Sequence, residues 1–258
     1  PGDIRSGYYR DQTMMLSMDR LTAQQFFAQV YAHSNLEHEP VTGGRLMNGH
    51  FGTSFLDENG DWLAIKDLKN STTDISPTAA QMPRLLGLAY ASKLYRQNPD
   101  LNKENLFSRQ GNEVAWGTIG NASTAEGIFF ETINAAGVLQ VPMVISVWDD
   151  GYGISVPNKY QMVKSSISEI LSGFQRTDEQ EGYEIITVKG WDYPALVEAY
   201  QKANDIARIE HIPVLVHVTD MTQPFGHSSS GSHERYKSKE RLQWEKDFDC
   251  IPHYQNWL

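Results

Sequence analysis

The sequence predicts an α/β fold in which a mostly parallel sheet carries helices on both faces. Two observations support this prediction. Apolar segments of strand character alternate with segments of helical periodicity through the second half of the chain. The chain of 258 residues is 40% hydrophobic, which suffices for a sizeable core. Strands that alternate with helices form βαβ units, and such units build a parallel sheet that is covered on both sides.

The N-terminal part of the chain predicts one helix and one long loop. Phe26, Phe27 and Tyr31 recur at helical spacing within 22–33, and we expect this apolar stripe to pack in the core. Residues 35–60 contain five glycines among polar side chains, a composition that predicts a loop. Long loops inside compact domains are often functional.

A second helix is expected to begin at Ser76-Pro77, because proline suits the first helical position, and to run to about residue 96. Pro83 lies inside this helix, where a proline can produce a kink. The alternating part of the chain follows. Its predicted strands cover 113–119, 141–148, 183–188 and 213–218, and its predicted helices cover 123–136, 160–173, 193–209 and 238–248.

Charge and composition exclude several classes of protein. The chain carries 32 acidic and 22 basic side chains, and this acidic balance disfavours nucleic acid as a partner. No apolar run approaches the roughly 20 residues of a membrane-spanning helix, so no membrane segment is expected. The single cysteine excludes a disulfide framework and fits a reducing cytoplasm. Because the chain begins without methionine, we expect it to be a fragment of a longer protein.

Polar turns follow three of the predicted strands. The first, at 120–124, reads GNAST, the second, at 149–153, reads DDGYG, and the third leads through Gln223 to FGHS at 225–228. Ligands of open parallel sheets bind beyond the carboxyl ends of the strands. The amide of Asn121 and a carboxylate of the second turn would therefore converge and could hold a hard cation such as magnesium. Each turn taken alone is also compatible with an ordinary connection between strand and helix.

Residues 120–157 carry a family resemblance. The run GNASTAEGIFFETINAAGVLQVPMVISVWDDGYGISVP resembles the thiamine-diphosphate motif in the alpha subunit of the decarboxylating component of 2-oxo acid dehydrogenases. That motif typically begins Gly-Asp-Gly and closes with Asn-Asn. The resemblance implies the thiamine-diphosphate-binding fold, with one module over 1–258 that grips the diphosphate and the metal. Further matching segments lie at 9–11, 44–50, 76–77, 226–228 and 236.

The resemblance implies a magnesium site whose two side-chain ligands have exchanged places. Asn121 stands where the family has an acidic ligand, and Asp150 stands where it has an asparagine. One carboxylate and one amide are kept, so we expect Mg2+ binding to survive, with the backbone carbonyl of Tyr152 as the third ligand. Ala122 replaces a glycine of the motif, and Trp148 replaces an arginine of branched-chain members. A vestigial site that has lost its ion is the alternative.

Other matching segments imply cofactor-binding and catalytic residues. Tyr9 and Arg10 match the pair that binds the diphosphate, and a guanidinium can clamp phosphate oxygens in two places. His50 and His227 match the active-site histidines, which can stabilise the cofactor's adduct and pass a proton. Exposed side chains without a function are the alternative in each case. The implied cofactor-binding set is Tyr9, Arg10, Ser76, Thr78, Asn121, Ala122, Ser123, Asp150, Tyr152 and His227.

The reaction implied by the resemblance is decarboxylation of a 2-oxo acid, of the pyruvate or branched-chain type, with transfer of the acyl group to the lipoyl group of an acyltransferase. A beta-like module that completes the family's site is absent from the sequence, so we expect this chain to be inactive alone and to form a dimer or an α2β2-like assembly. Two alternatives remain: an interaction module that has lost turnover, and a transketolase-type transfer. Ser228, Ser229 and Ser230 lie in a segment that resembles a phosphorylated loop of mitochondrial relatives.

Overall fold

The computed structural model describes residues 1–46, 49–228 and 232–258. Its strands, numbered in chain order, are β1 (Ile4–Ser6), β2 (Asn70–Ser71), β3 (Ala115–Gly120), β4 (Met143–Trp148), β5 (Tyr152–Gly153), β6 (Val156–Pro157), β7 (Glu184–Lys189) and β8 (Val214–Thr219). β5 and β6 form a short antiparallel hairpin. The other strands form one parallel sheet in the order β2-β1-β3-β4-β8-β7, which confirms the predicted sheet.

Helices connect most of these strands. They are α1 (Gln12–Ser17), α2 (Ala23–Val30), α3 (Gln81–Gln97), α4 (Gly127–Leu139), α5 (Ile167–Ile170), α6 (Tyr193–Asp205), α7 (Lys239–Asp247) and α8 (Cys250–Trp257). Thr22 caps α2 in a capping box with Gln25, and Ser238 caps α7. Within the described part of the chain, no helix combines the length and the apolar character needed to cross a membrane.

The sheet has an apolar core on each face. Met143, Ile145 and Val147 alternate along β4 and pack against α3 and α4 on one face. Val144, between them, points to the other face and packs with residues of α6. Helices therefore cover both faces of the sheet, as the sequence predicts, and the edge where the strands end is left for a site.

The predicted helix over 160–173 is wrong. Regular α-helix in this range is limited to α5, because Ser165 has a φ of 57° in the left-handed region, which interrupts a helix. Ser166 then caps α5 by accepting a hydrogen bond from the backbone N–H of Glu169. Val163 is 97% exposed, so the apolar spacing that suggested a longer helix does not mark a buried face.

The second helix begins later than the sequence predicts. α3 starts at Gln81 rather than at Pro77, because Ala79 turns the chain with a φ of 62°. Pro83 then falls in the first turn of α3, where a backbone N–H has no acceptor within the helix. The proline therefore costs no helical hydrogen bond, and α3 continues unbroken to Gln97.

The expected core packing of the Phe26, Phe27 and Tyr31 stripe is wrong for two of its three members. Phe27 is 57% exposed and Tyr31 is 82% exposed. Only Phe26 packs against a small cluster, that of Met15, Leu21 and Phe51. α2 has only about two turns, and the side that carries Phe27 and Tyr31 faces outward.

A buried ionic cluster, which we call the Arg5 cluster, lies under the start of the chain and consists of Arg5, Asp11 and Asp74. Arg5 Nη1 donates to Asp11 Oδ2 at 2.7 Å, and Nη2 donates to Asp74 Oδ1. Asp74 also accepts a hydrogen bond from the backbone N–H of Phe51 at 3.1 Å, which ties the loop at 35–60 to β1. Burial raises the pKa of Asp74 to about 6, although the Arg5 charge opposes this shift.

Candidate functional site

A cavity of about 540 Å³ lies at the carboxyl ends of the parallel strands, where the strand-end rule predicts a site. Residues that follow β1, β3, β4 and β8 meet around it. The cavity is lined by most of the residues that the sequence implicates, namely Tyr9, Arg10, Thr78, Asn121, Ala122, Ser123, Asp150, Tyr152 and His227.

Strand register brings the two polar turns together. Gly120, the last residue of β3, pairs with Trp148, the last residue of β4. Asn121 follows Gly120 directly and Asp150 lies two positions after Trp148, and both are buried at the wall of the cavity. Gly151 has a φ of 83°, a conformation that favours glycine, and this turn folds the chain back into β5. A side-chain amide and a carboxylate from neighbouring strands therefore lie at one edge of the sheet.

Asp150 is a buried carboxylate that a cation would stabilise. Burial raises its pKa, and the hydrogen bond from the backbone N–H of Tyr152, at 3.1 Å, only partly offsets this effect. Among the described residues, no group of three or more His, Cys, Asp or Glu side chains could hold a metal. The donors that this edge does offer are the side-chain amide of Asn121 and the carboxylate of Asp150.

A chain of buried hydrogen bonds runs behind this edge. His217 Nε2 lies 3.0 Å from Asp149 Oδ2, and Asn158 Nδ2 donates to Asp149 Oδ1 at 3.0 Å. Asn121 Nδ2 in turn donates to Asn158 Oδ1 at 2.5 Å. Burial acts to raise the pKa of Asp149, but the hydrogen bonds from His217, Gly151 and Asn158 outweigh it and lower the pKa. Asp149 is thus held ionised beside the candidate ligands.

Arg10 and His227 form a pair on another wall of the cavity. Arg10 Nη1 donates to the carbonyl oxygen of His227 at 3.2 Å, and Nη2 lies 3.0 Å from Nε2 of its ring. Burial lowers the pKa of His227, and the charges of Arg10 and Lys237 lower it further. The ring is therefore neutral at neutral pH, and because a guanidinium only donates, the imidazole proton lies on Nδ1.

A family model described as the dehydrogenase E1 component matches residues 1–258. The chain belongs to this family. It is 27% identical to the 2-oxoisovalerate dehydrogenase subunit alpha of Bacillus subtilis over 97% of its own length and 64% of that protein. It is 27% identical to the mitochondrial 2-oxoisovalerate dehydrogenase subunit alpha of Caenorhabditis elegans, over 96% of this chain and 48% of that protein.

The corresponding human mitochondrial subunit is 26% identical over 99% of this chain and 49% of that protein. The chain thus spans about half to two thirds of the length of these relatives.

Two implicated residues, His50 and Ser76, lie beside the cavity of this E1 family member rather than in its wall. The His50 ring is hydrogen-bonded to the Ser76 hydroxyl. Its centroid is 6.4 Å from that of the Tyr9 ring, which does line the cavity. The pair therefore stands next to the site on the side of Tyr9. Ser229 and Ser230, which the sequence suggests as phosphorylation sites, lie outside the described residues, and Ser228 is exposed.

The E1 family motif has glycine at the position of Ala122. The extra methyl group fits here because the residue packed against it, Gly153, has no side chain. A Cβ added to Gly153 would lie 2.6 Å from the Cβ of Ala122 and would also overlap the Gln161 side chain. β5 can therefore approach the turn after β3 only because residue 153 has no side chain.

Sequence reasoning missed the residues that hold the Asp150 turn from behind. Glu245 accepts hydrogen bonds from Lys237 at 2.7 and 2.9 Å and from Arg241 at 2.8 Å. Arg241 also donates to the carbonyl oxygen of Asp150 at 2.7 Å. No sequence signal connects these two residues, which lie 91 positions apart.

Gln223 and Trp148 also line the cavity. The side-chain oxygen of Gln223 is buried and has no hydrogen-bond partner among the described residues, which leaves it available to a ligand. The sequence analysis places Gln223 in the polar turn after the last predicted strand, where the strand-end rule predicts a site, and the structure brings it into the cavity. The Trp148 indole donates to the hydroxyl of Ser146 at 2.9 Å, so the apolar ring rather than a cation meets the cavity at this strand end.

Proposed function

We propose that this chain is the diphosphate- and Mg2+-binding half of a thiamine-diphosphate-dependent 2-oxo acid dehydrogenase, acting as one module over residues 1–258. One observation carries the proposal. In a chain of the dehydrogenase E1 family, an amide and a carboxylate from neighbouring strand ends share a cavity with an arginine–histidine pair. The named relatives are 2-oxoisovalerate dehydrogenase subunits, which favours a branched-chain 2-oxo acid over pyruvate as the substrate.

The oxygen donors fit Mg2+. The carboxylate of Asp150, the amide oxygen of Asn121 and the backbone carbonyl of Tyr152 are hard ligands, and Mg2+ commonly takes one or two side chains together with phosphate oxygens. Burial raises the pKa of Asp150, so a bound cation would offset the cost of its charge. We assign these three groups to the metal.

The cationic wall of the cavity fits a diphosphate. Arg10 can keep its contact with His227 and bind phosphate oxygens in two places through the N–H groups that do not face His227. The hydroxyl groups of Tyr9, Thr78 and Ser123 belong to the same cavity, and the Nδ1–H of neutral His227 is a further donor. The unpartnered oxygen of Gln223 offers the site an acceptor.

Thiamine diphosphate would supply the carbon nucleophile and the electron sink for decarboxylation. In this proposal the residues of the chain bind and orient the cofactor and shield it from water. His227, beside Arg10, holds a neutral imidazole toward the cavity. His50, hydrogen-bonded to Ser76 near Tyr9, is assigned the movement of a proton at its ring nitrogen during acyl transfer.

Two further proteins enter the proposal. The relatives are alpha subunits, which favours a beta-like partner that completes the site in an α2β2-like assembly. The acyl group would pass to a lipoyl group on an acyltransferase. The family match does not favour an interaction module without turnover or a transketolase-type transfer.

Calorimetric titration tests the proposal. Thiamine diphosphate is titrated with and without Mg2+ into the full-length protein reconstituted with its beta-like partner, beside Asn121→Ala and Asp150→Ala. We expect binding to require Mg2+ and both variants to bind at least about 10-fold more weakly. Asp178→Ala, in an exposed loop, is the matched control and is expected to bind as the unmodified protein does.

Failure of the unmodified assembly to bind, or unchanged binding by both variants, would overturn the proposal. The substrate is tested in the same assembly through reduction of a dye acceptor, with 2-oxoisovalerate compared with pyruvate. A higher kcat/KM for 2-oxoisovalerate is expected, and a preference for pyruvate would contradict the branched-chain assignment.

A further inference from the structure

Asn158 connects the candidate metal site to the buried Asp149. Its Nδ2 donates to Asp149 Oδ1 at 3.0 Å and lies 3.4 Å from the carbonyl oxygen of Ser165. Its Oδ1 accepts from Asn121 Nδ2 at 2.5 Å. The nitrogen of the Asn158 amide thus contacts hydrogen-bond acceptors, and its oxygen contacts a donor.

The orientation of the Asn158 amide is set by its partners. Asp149 Oδ1 also accepts from the backbone N–H of Gly151 at 2.8 Å, and the Ser165 carbonyl can only accept. Both atoms require the nitrogen end of Asn158. The oxygen end must then face Asn121, which in turn must present its own nitrogen. The oxygen of Asn121 is left on the side of its amide away from Asn158, and Asn121 is a residue of the cavity wall.

We propose that Asn158 is a positioning residue that orients the amide of Asn121 with its oxygen toward the metal. This inference rests on the proposed function, since it assumes that Asn121 is a Mg2+ ligand. An amide has one oxygen, so a reversed Asn121 would present N–H groups to a cation. A carboxylate has oxygens at both ends and needs no such control.

Burial makes this control effective. Asn121 is 3% exposed and Asn158 is 7% exposed, so water has little access to replace a lost hydrogen bond between them. The other end of this series of hydrogen bonds is also buried. His217 is 1% exposed, and its Nδ1 lies 2.9 Å from the Ser168 hydroxyl. The donor and acceptor roles of the two amides, Asn158 and Asn121, are therefore determined by Asp149 and the Ser165 carbonyl.

A double-mutant cycle of Asn158→Ala with Asn121→Asp tests the proposal without any change of charge at residue 158. Binding of thiamine diphosphate with Mg2+ is measured by calorimetry in the full-length assembly. With asparagine at 121, Asn158→Ala is expected to raise Kd at least about 10-fold. With aspartate at 121, the same substitution is expected to change Kd less than about 3-fold, because either carboxylate oxygen can reach the metal.

A merely structural role for Asn158 predicts the same weakening in both backgrounds, and that result would overturn the proposal, as would an unchanged Kd after Asn158→Ala. Asn256→Ala, the same change at an exposed position of α8, is the control for effects that any such substitution would have.

Failure of the proposed function gives a different result. If neither background binds thiamine diphosphate with Mg2+, the metal assignment fails, and thermal unfolding still tests the orientation. Asn158→Ala removes the hydrogen bond to Asp149 in both backgrounds, but with aspartate at 121 it also removes an oxygen that would face a carboxylate, so Tm is expected to fall less with aspartate than with asparagine. Equal losses of Tm in the two backgrounds would contradict the orientation.

Discussion

Arg10 and His227 contact each other through two pairs of atoms although 217 positions separate them in the sequence. One guanidinium nitrogen donates to the His227 carbonyl oxygen, and another lies 3.0 Å from Nε2 of the ring. The cationic wall of the cavity is therefore assembled from the beginning and the last fifth of the chain. The pKa of His227 is lowered by burial first and then by the charge of Arg10.

Arg10→Gln is expected to raise the pKa of His227. Burial and then the Arg10 charge hold that pKa below its ordinary value, and removing a nearby positive charge favours the protonated ring. A pH titration of the His227 ring by proton NMR measures the change. Arg20→Gln, at an exposed position, is the control. A His227 pKa that stays the same or falls in Arg10→Gln would show that the guanidinium does not act on the ring.

Gly153→Ala is expected to destabilise the protein by about 1–3 kcal/mol, because the new methyl group would overlap Ala122 and the Gln161 side chain. Adding Ala122→Gly should restore at least half of the loss, since it removes the contact of 2.6 Å between the two Cβ positions. Urea unfolding of both single variants and the double variant measures this coupling. Strictly additive effects would mean that the two residues do not share this space.

Arg5→Met is expected to cost about 3–5 kcal/mol of unfolding free energy, because it leaves Asp11 and Asp74 buried without their cation. The exposed pair of Arg109 and Asp67, at 2.6 Å, provides the comparison. Breaking it with Arg109→Met should cost much less, because both side chains are exposed to solvent. Chemical denaturation of both variants tests the difference, and equal losses would contradict a special role for the Arg5 cluster.

Acid is expected to destabilise the protein partly through His211. Burial, followed by the Arg96 charge, lowers the pKa of His211 from 6.5 to about 4. Between these values the unfolded chain binds more protons than the folded one, so stability is full above pH 6.5 and falls as the pH drops toward 4. The difference between these two pKa values corresponds to about 3 kcal/mol, which partial solvent screening of the ring reduces to about 2 kcal/mol.

The measurement compares the unmodified protein with His211→Asn. Asparagine tolerates the φ of 57° at this position and does not titrate. Urea unfolding of both proteins across this pH range should show a smaller acid loss for the variant. Asp74, whose pKa is raised, acts in the opposite direction, but it is present in both proteins and cancels in the difference. Parallel pH profiles would rule out His211 as the cause.

The sheet and the strand-end turns were predictable from the sequence because they depend on local patterns. The apolar strands at β3, β4, β7 and β8 are long enough to show their character, and the rule that ligands bind at carboxyl ends identifies the turns at Asn121 and Asp150. β1 and β2 were missed, because strands of three and two residues carry no readable period.

Contacts between distant parts of the chain could not be predicted. The support that Arg241 gives to the Asp150 carbonyl depends on where α7 docks, and no local pattern contains that information. Phe27 and Tyr31 illustrate a different error. They recur at helical spacing, but their side chains are exposed rather than buried. Periodicity predicts the element, whereas burial depends on what packs against it.

The strand order has a consequence during synthesis on the ribosome. β8 lies between β4 and β7, so β7 has no partner in the sheet and β4 has one free edge until residues 214–219 have left the ribosome. β4 is strongly apolar, and an unpaired edge of this kind can recruit another chain. A nascent chain that pauses before β8 is therefore exposed to aggregation, and premature termination in this region would yield a product with an open sheet.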